Sequence, residues 1–196
     1  MNLPNKLTIL RIILVAVFMF FLSLNGVWAK AAALITFLTA SFTDFLDGYI
    51  AKKNNMVTSF GKLMDPIADK ILVLAAFLIF VEMELVPAWM VVIIIFREAI
   101  ITGLRIAALT HGKVLAAEDG GKHKMVSQVF SIVAILFFII FKEAGIKVFG
   151  FWSAYTERIY RDIIFLLMLV TTFLTLASGM SYLIKNKGVY FNAKTS

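Results

Sequence analysis

The chain has no cysteine among its 196 residues and only two histidines, His111 and His123. Without cysteine it can have no disulfide bridge, no thiolate nucleophile and no thiolate ligand for a metal. Two scattered histidines are too few for a zinc cluster. Any bound metal must therefore be a hard cation that is held through oxygen atoms.

Charged residues are also scarce, at 16% of the chain, while 61% of the residues are hydrophobic. Soluble domains carry about 25% charged and about 45–50% apolar residues. A soluble protein of this size would have to bury more apolar surface than its core can hold, and disordered chains lack so many aliphatic and aromatic residues. Together with a mean hydropathy of +0.93, this composition predicts an integral membrane protein.

Six apolar runs are long enough to cross a bilayer, which takes about 20 residues per helix. They lie at about 7–25, 29–50, 67–86, 88–110, 125–141 and 160–184. We expect α-helices because membrane strands would appear as short alternating segments. No repeat, low-complexity stretch or linker divides the sequence. Residues 1–196 are therefore predicted to form one all-α domain, a polytopic bundle of six transmembrane helices.

Basic residues concentrate on one side of this predicted bundle, which the positive-inside rule assigns to the cytoplasm. That side would carry Lys6, Lys52, Lys53, Lys62, Lys113, Lys122, Lys124, Lys185, Lys187 and Lys194. The opposite side has fewer basic residues, and its aromatic segment 149–152 is expected at the membrane interface. Both termini are predicted to be cytoplasmic.

Four aspartates lie near the cytoplasmic ends of the second and third predicted helices: Asp44, Asp47, Asp65 and Asp69. Helical spacing places the first pair on one face and the second pair on another. Small residues share these faces: Gly48 and Ala51 beside the first pair, Gly61 and Ala68 beside the second. A connection of about a dozen residues would let the faces oppose each other. Four carboxylates in one pocket would repel one another without cations, which favours one or two Mg²⁺ ions.

Two other interpretations of the aspartates stay open at this point. Each aspartate alone could cap a helix or pair with a lysine, and Asp65 before Pro66 fits an N-cap with proline at the first helical position. Four membrane aspartates could also form the ion path of a cation transporter. A transporter needs carboxylates near the middle of the bilayer, whereas these four are predicted at one end of the helices.

The aspartates and their neighbours form the pattern Asp44-x2-Asp47-Gly48-x2-Ala51-Lys52-x8-Gly61-x3-Asp65-x3-Asp69. This pattern resembles the signature of the CDP-alcohol phosphotransferase family, except that the family usually has arginine where this chain has Lys52. Lysine keeps the charge but lacks the bidentate fork of arginine. The resemblance implies a six-helix membrane enzyme, usually a homodimer, that transfers a substituted phosphate from a CDP-linked donor to an alcohol and releases CMP.

The same resemblance implies roles for individual residues. Asp44, Asp47 and Asp65 would bind metal, and Asp69 would bind metal and also act as the general base. The cofactor would be Mg²⁺ or Mn²⁺, as two ions. The CDP portion of the donor would be held by Gly48, Lys52, Thr58 and Gly61, with Asn5 and Thr8 near the nucleotide. Asn5 also fits a simple helix cap.

Basic residues also occur where an acceptor would bind: Arg97 and Arg105 in the fourth run, Lys122 and Lys124 at the start of the fifth. Glu98, Thr102 and Arg105 share one helical face. Several cations beside a metal-rich pocket favour a phosphorylated alcohol as the acceptor. For Lys122 and Lys124, anchoring of the helix by the positive-inside rule is the alternative.

Three further segments, Pro4 to Arg11, Arg97 to Arg105 and Gly121 to Gln128, resemble bacterial members of the family that use glycerol 3-phosphate. The resemblance implies transfer of the phosphatidyl group from CDP-diacylglycerol to the 1-hydroxyl of glycerol 3-phosphate. Serine, inositol phosphate and phosphatidylglycerol stay open as acceptors. We expect a protein of the bacterial cytoplasmic membrane with its active site toward the cytoplasm and no nucleic-acid partner. Residues beyond about 130 carry no specific signal.

Overall fold

The computed structural model describes residues 3–54, 59–110, 119–150 and 152–187, with side chains over 9–43, 70–108, 124–146, 148–150 and 152–187. Within these ranges the chain forms six α-helices and one short π-helix, and no strand. The helices are α1 (Leu3–Ser23), α2 (Val27–Asn54), α3 (Ser59–Glu82), α4 (Ala88–Thr110), α5 (Asp119–Ala144), the π-helix Gly145–Phe149 and α6 (Ala154–Lys185).

All six predicted apolar runs form helices, but the connection between the second and third was predicted wrongly. Helix α3 begins at Ser59 rather than near residue 67, and only residues 55–58 separate it from α2. Polar and small residues lower the hydropathy at the end of α2 and at the start of α3, so the apolar runs are shorter than the helices. Asp65 lies inside α3, which excludes the N-cap interpretation.

The core is formed mainly by aromatic and aliphatic side chains that have little or no exposure. Phe18 of α1 and Phe37 of α2 are fully buried, with ring centroids 5.7 Å apart. Phe77 of α3, Met90 of α4 and Ile135 of α5 are fully buried in the same cluster. Helix α1 packs on α2 and α3, α4 packs on α3 and α6, and α5 packs on α2, α3 and α6. The six helices thus share one continuous core.

Short connections determine which helix ends lie together. Three residues join α1 to α2, and five join α3 to α4, so consecutive helices run antiparallel. One end of the bundle therefore collects the starts of α1, α3 and α5 and the ends of α2, α4 and α6. The halves of the aspartate pattern lie on α2 and α3, which contact each other.

The opposite end of the bundle is closed by the connection from α5 to α6. Gly150 ends the π-helix with φ +64, a left-handed conformation that favours glycine. The Ser153 side chain then caps α6 by accepting a hydrogen bond from the Thr156 amide. Trp152, predicted at the membrane interface, is half-buried and stacks on Tyr160 with ring centroids 5.3 Å apart. The other interfacial aromatic with a described side chain, Phe149, is exposed.

The outer surface of the bundle is strongly apolar. Every helix exposes at least one large apolar side chain by more than half, including Phe20, Trp28, Leu78, Phe96, Phe137 and Phe173. Exposed apolar area of this extent is unusual for a soluble monomer and favours a lipid surrounding. In the described part of the chain, two helical segments are long and apolar enough to cross a membrane, Lys124–Ala144 and Ala154–Lys185.

Candidate active site

Glu98, in the middle of α4, is the common partner of three basic side chains. Its side chain is only 6% exposed and forms an ion pair with Lys124 of α5. Arg97 Nη1 lies 3.1 Å from the same carboxylate oxygen, Oε1. Lys70 Nζ of α3 lies 3.6 Å from the other oxygen, Oε2. One buried carboxylate therefore joins cations from three helices, and we call Lys70, Arg97, Glu98 and Lys124 the cation cluster.

Helical spacing on α4 explains how Lys70 reaches this cluster. Glu98 and Thr102 are one turn apart and therefore share a face of α4. Lys70 donates a hydrogen bond to the Thr102 hydroxyl while it lies beside Glu98. The lysine is thus held by two groups on the facing helix, and its ammonium group has a defined position between α3 and α4.

The charges of the cluster are not balanced by its own members. Among the described side chains, three cations surround one carboxylate, so this part of the cluster carries surplus positive charge in a largely buried place. Buried charge is costly unless it is paired. The side chains of Arg97 and Lys124 are 11% and 10% exposed, whereas that of Lys70 is 31% exposed. The arrangement suits an anion that approaches from the side of Lys70.

Helix α6 contacts both arginines of α4. Arg97 Nη2 donates a hydrogen bond of 2.9 Å to the Ser178 hydroxyl. The next residue, Gly179, packs so closely that a Cβ atom there would lie 2.9 Å from Arg97 Cγ. One turn further on, the Tyr182 ring lies beneath Arg105, whose guanidinium carbon is 5.9 Å from the ring centroid.

A buried polar seam continues from the cluster along α5 and α6. The Gln128 side chain donates to the Thr175 hydroxyl over 3.4 Å, and the hydroxyls of Ser131 and Thr171 are 2.7 Å apart. All four residues are buried. Hydrogen bonds between polar side chains of apolar helices fix their relative position, so the seam sets where α6 lies against the cluster.

The structure brings two of the predicted acceptor residues together, and it places a third within electrostatic reach of Lys70 in the same cluster. Arg97 and Lys124 meet at Glu98, whereas Arg105 is exposed and lies on Tyr182. Lys122 lies in α5, and its side chain is outside the described part. Sequence reasoning missed Lys70, although an ionisable residue within an apolar helix is a signal for function.

A family model described as CDP-alcohol phosphatidyltransferase matches residues 1–186. The chain belongs to the CDP-alcohol phosphatidyltransferase family. The family membership that the aspartate pattern predicted is thereby confirmed.

Relatives of this family member include three bacterial proteins. A Bacillus subtilis protein named CDP-diacylglycerol–glycerol-3-phosphate 3-phosphatidyltransferase is 45% identical over 147 residues, which cover 69% of this chain and 76% of its own length. A Rickettsia typhi protein of the same name is 37% identical over 183 residues, covering 92% of this chain and 94% of its own. A Pseudomonas fluorescens protein, again of that name, is 32% identical over 161 residues, covering 78% and 77%.

The donor-binding and metal-binding residues predicted for this CDP-alcohol phosphatidyltransferase lie where the structure describes only the backbone or nothing. The backbone at Asn5 and Thr8 belongs to α1, that at Asp44, Asp47, Gly48 and Lys52 to α2, and that at Gly61, Asp65 and Asp69 to α3, while Thr58 lies outside the described residues. Among the described side chains, no group of three or more histidine or acidic residues could hold a metal. The metal site on the four aspartates stays a prediction.

Proposed function

We propose that the chain transfers the phosphatidyl group of CDP-diacylglycerol to the 1-hydroxyl of glycerol 3-phosphate, giving phosphatidylglycerophosphate and CMP. The observation that carries the acceptor assignment is the surplus positive charge of the cation cluster. The cluster lies on α3, α4 and α5, and α3 also carries half of the aspartate pattern. The names of the relatives from Bacillus subtilis and Rickettsia typhi support the same donor and acceptor.

The proposal includes a six-span arrangement in the bacterial cytoplasmic membrane. All six helices expose large apolar side chains, and each has at least 21 residues, enough to cross a hydrocarbon layer. The positive-inside rule places both termini and the aspartate end in the cytoplasm. A lipid-linked diphosphate would then lie at the interface where α2 ends and α3 begins.

The donor half of the reaction is assigned to the aspartate pattern. Asp44, Asp47, Asp65 and Asp69 are oxygen donors that fit one or two Mg²⁺ or Mn²⁺ ions. When bound, such ions neutralise the diphosphate charge and stabilise both ends of an in-line displacement. Gly48 and Gly61 allow the backbone to approach the nucleotide closely. Asn5, Thr8, Lys52 and Thr58 complete the proposed donor site.

The acceptor half is assigned to the cation cluster and its neighbours. Lys70, Arg97 and Lys124 would hold the phosphate of the acceptor, with Arg105 and Lys122 as further cations at the same end of the bundle. Glu98 keeps three of these cations together before the acceptor arrives. Asp69 would accept the proton of the attacking hydroxyl. Because Lys70 and Asp69 lie on the same turn of α3, the acceptor phosphate and the reacting hydroxyl would bind at the same level of the bundle.

The other candidates fit the charge of the cluster less well. Serine has no phosphate for the surplus cations, and phosphatidylglycerol has only one phosphodiester charge. Inositol phosphate shares the chemistry of glycerol 3-phosphate, so the relatives' names decide between them. For a cation transporter, a buried site with surplus positive charge would repel the transported ion.

An acceptor panel tests the proposed reaction. The purified protein receives CDP-diacylglycerol and Mg²⁺ with glycerol 3-phosphate, glycerol, serine, inositol phosphate or phosphatidylglycerol, and CMP release is measured. We expect release with glycerol 3-phosphate and little with glycerol, because a site built for a phosphate is left with unpaired cations without it. No CMP release with glycerol 3-phosphate, or faster release with another acceptor, would overturn the assignment.

We further propose a homodimer in the membrane. Family resemblance supports it, and the apolar outer surface offers room for a second copy. Light scattering of the detergent-solubilised protein should give a protein mass of twice the 21.9 kDa chain. A protein mass of one chain at all concentrations would contradict the dimer.

A further inference from the structure

We infer that one face of α6, formed by Ser178, Gly179 and Tyr182, positions the two arginines of α4 for the acceptor phosphate. This inference rests on the proposed function, because it assigns a role to α6 within the same acceptor site. The three residues are spaced at i, i+1 and i+4 and therefore share one helical face. We call them the α6 positioning face.

Ser178 determines where the guanidinium group of Arg97 lies. Arg97 Nη1 donates to Glu98 at 3.1 Å, and Nη2 donates to Ser178 at 2.9 Å. Because Glu98 lies on α4 and Ser178 on α6, the two hydrogen bonds fix both the position and the plane of the guanidinium group. Without the serine hydroxyl, only Glu98 would hold the guanidinium group, and it could rotate about that contact. Ser178 is itself buried, so after removal of the hydroxyl a water molecule could take its place only at a cost in free energy.

Gly179 determines where the aliphatic part of Arg97 lies. A Cβ atom at residue 179 would be 2.9 Å from Arg97 Cγ, 3.4 Å from Nε and 3.8 Å from Cδ. Because Cγ is the second carbon of the side chain, the whole arginine would have to move to make room. In the described part of the chain, Arg97 Nε is buried without a hydrogen-bond partner. The arginine is thus pressed against α6 by packing, and glycine makes this approach possible.

Tyr182 supports the second arginine. The Arg105 guanidinium carbon lies 5.9 Å from the centroid of the Tyr182 ring, within the range of a cation–π contact. The ring is 2% exposed, and its hydroxyl has no hydrogen-bond partner among the described residues. The ring face, and not the hydroxyl, is therefore the part of Tyr182 that acts on Arg105.

The consequence is that acceptor affinity depends on a helix that carries none of the aspartate pattern. Helix α6 packs on α4 and α5, and the polar seam Gln128–Thr175 and Ser131–Thr171 fixes it there. A small displacement of α6 would move Arg97 and Arg105 without touching α2, where half of the donor residues lie. Substitutions on the positioning face should therefore change acceptor binding more than donor binding.

Three matched pairs of variants test this inference in steady-state kinetics. Gly179→Ala is compared with Gly103→Ala, where an added Cβ meets nothing within 4 Å. Ser178→Ala is compared with Thr172→Val, which also removes a buried hydroxyl from α6, but one that donates to the Met168 carbonyl of the same helix and lies outside the seam. Tyr182→Leu is compared with Tyr182→Phe, which keeps the ring face. For each variant, KM is measured for glycerol 3-phosphate and for CDP-diacylglycerol, together with kcat.

We expect the first member of each pair to raise the KM for glycerol 3-phosphate while the KM for CDP-diacylglycerol stays within about twofold. The increase should be on the order of tenfold for Gly179→Ala, about fivefold for Ser178→Ala and about threefold for Tyr182→Leu. The second member of each pair should stay near the wild-type value for both substrates. If the three residues had only a structural role, their substitution would lower the amount of folded protein or kcat. The KM values for the two substrates would then not change by different factors.

The results separate this inference from the proposed function. If the wild-type protein releases no CMP with glycerol 3-phosphate, the proposed function fails. If the wild type is active and each pair gives equal KM values for glycerol 3-phosphate, the inference fails and the function stands. Should Gly179→Ala not fold, the serine and tyrosine pairs decide the question. Equal increases in both KM values would also contradict a positioning role.

Discussion

Lys124 and Glu98 form an ion pair in which both side chains are almost wholly buried, at 10% and 6% exposure. Removing two charges from water is costly, and their attraction offsets that cost only when the geometry is good and other hydrogen bonds complete it. Here Glu98 also contacts Arg97 and Lys70. The carboxylate therefore matters more to the cluster than any one of its cations, which leads to unequal effects of substitution.

Glu98→Gln should destabilise the protein and weaken acceptor binding together. The change keeps the shape of the side chain but leaves three cations without their shared carboxylate, and breaking a buried pair costs about 3–5 kcal/mol. We expect a lower thermal unfolding temperature in detergent and a higher KM for glycerol 3-phosphate. Glu82→Gln, an exposed glutamate on α3, is the control. Equal stability of the two variants would contradict the central role of Glu98.

Lys124→Met should weaken acceptor binding but destabilise less than Glu98→Gln. After this change Glu98 keeps Lys70 and Arg97, so no charge is left without a partner. The acceptor loses one cation, for which we expect a KM increase of about tenfold. The matched control is Lys142→Met, at the other end of α5, where the lysine pairs with Glu157 at 2.8 Å. The same kinetic defect in both variants would count against a local effect of Lys124.

Lys70→Met should reduce inhibition by inorganic phosphate. Of the three cluster cations Lys70 is the most exposed, at 31%, so an arriving phosphate meets it first. We expect inorganic phosphate to compete with glycerol 3-phosphate in the wild type, and its inhibition constant to rise about tenfold in the variant. Lys70→Arg keeps the charge and should retain much of the inhibition. An unchanged inhibition constant in Lys70→Met would exclude Lys70 from the phosphate site.

The existence of six helices could be predicted from the sequence, because continuous apolar runs have one stable structure in a membrane. The boundary at Ser59 could not, since small and polar residues of α3 do not register as part of an apolar run. The positive charge of Arg97 and Lys124 was enough to predict that both act in the acceptor site. Their meeting at Glu98 depends on how α4 and α5 pack, which periodicity alone does not determine.

The contribution of α6 could be predicted least. Ser178 and Gly179 are ordinary residues for an apolar helix, where small residues usually serve close helix packing. The hydrogen bond between Ser178 and Arg97 joins residues that are 81 positions apart in the chain, so nothing local in the sequence indicates it. The metal site is the opposite case, because the motif predicts its residues while their side chains lie outside the described part.

Asp69→Asn should abolish turnover and leave most of the donor affinity intact. The amide cannot accept the proton of the attacking hydroxyl, and loss of a general base lowers the rate by about 10²–10⁴-fold. Three of the four proposed carboxylate ligands remain for the metal. CMP release and the binding of CDP-diacylglycerol are measured separately, with the exposed Asp162→Asn as the control. Turnover near the wild-type level would remove Asp69 from the proposed chemistry.

Chelation provides a prediction for the cofactor. If the aspartate pattern holds Mg²⁺ or Mn²⁺, an excess of a chelator should stop CMP release, and either ion should restore it. The cation cluster has only one carboxylate, so we expect it to bind neither ion. In a variant in which Asp44, Asp47, Asp65 and Asp69 are all asparagine, the chelator should therefore leave the thermal unfolding temperature unchanged. Full activity after complete removal of divalent ions would contradict the proposed metal site.

Glu157→Gln should lower stability and leave acceptor binding unchanged, because this residue organises the opposite end of the bundle. Glu157 accepts hydrogen bonds from Lys142 at 2.8 Å, Trp152 Nε1 at 2.9 Å and Arg161 Nε at 3.2 Å. With glutamine at this position, the NH2 group of the side chain would face one of these hydrogen-bond donors. Lys142 and Arg161 would also lose the negative charge with which they pair.

The expected loss is about 1 kcal/mol, since these charges are partly exposed and screened. For a chain of this length it corresponds to a fall of about 2–4 °C in Tm. Glu84→Gln is the control, because its backbone carbonyl still accepts from Arg161 Nη1. A raised KM for glycerol 3-phosphate in Glu157→Gln would show that the two ends are coupled, contrary to a site confined to the end where α3 and α5 begin.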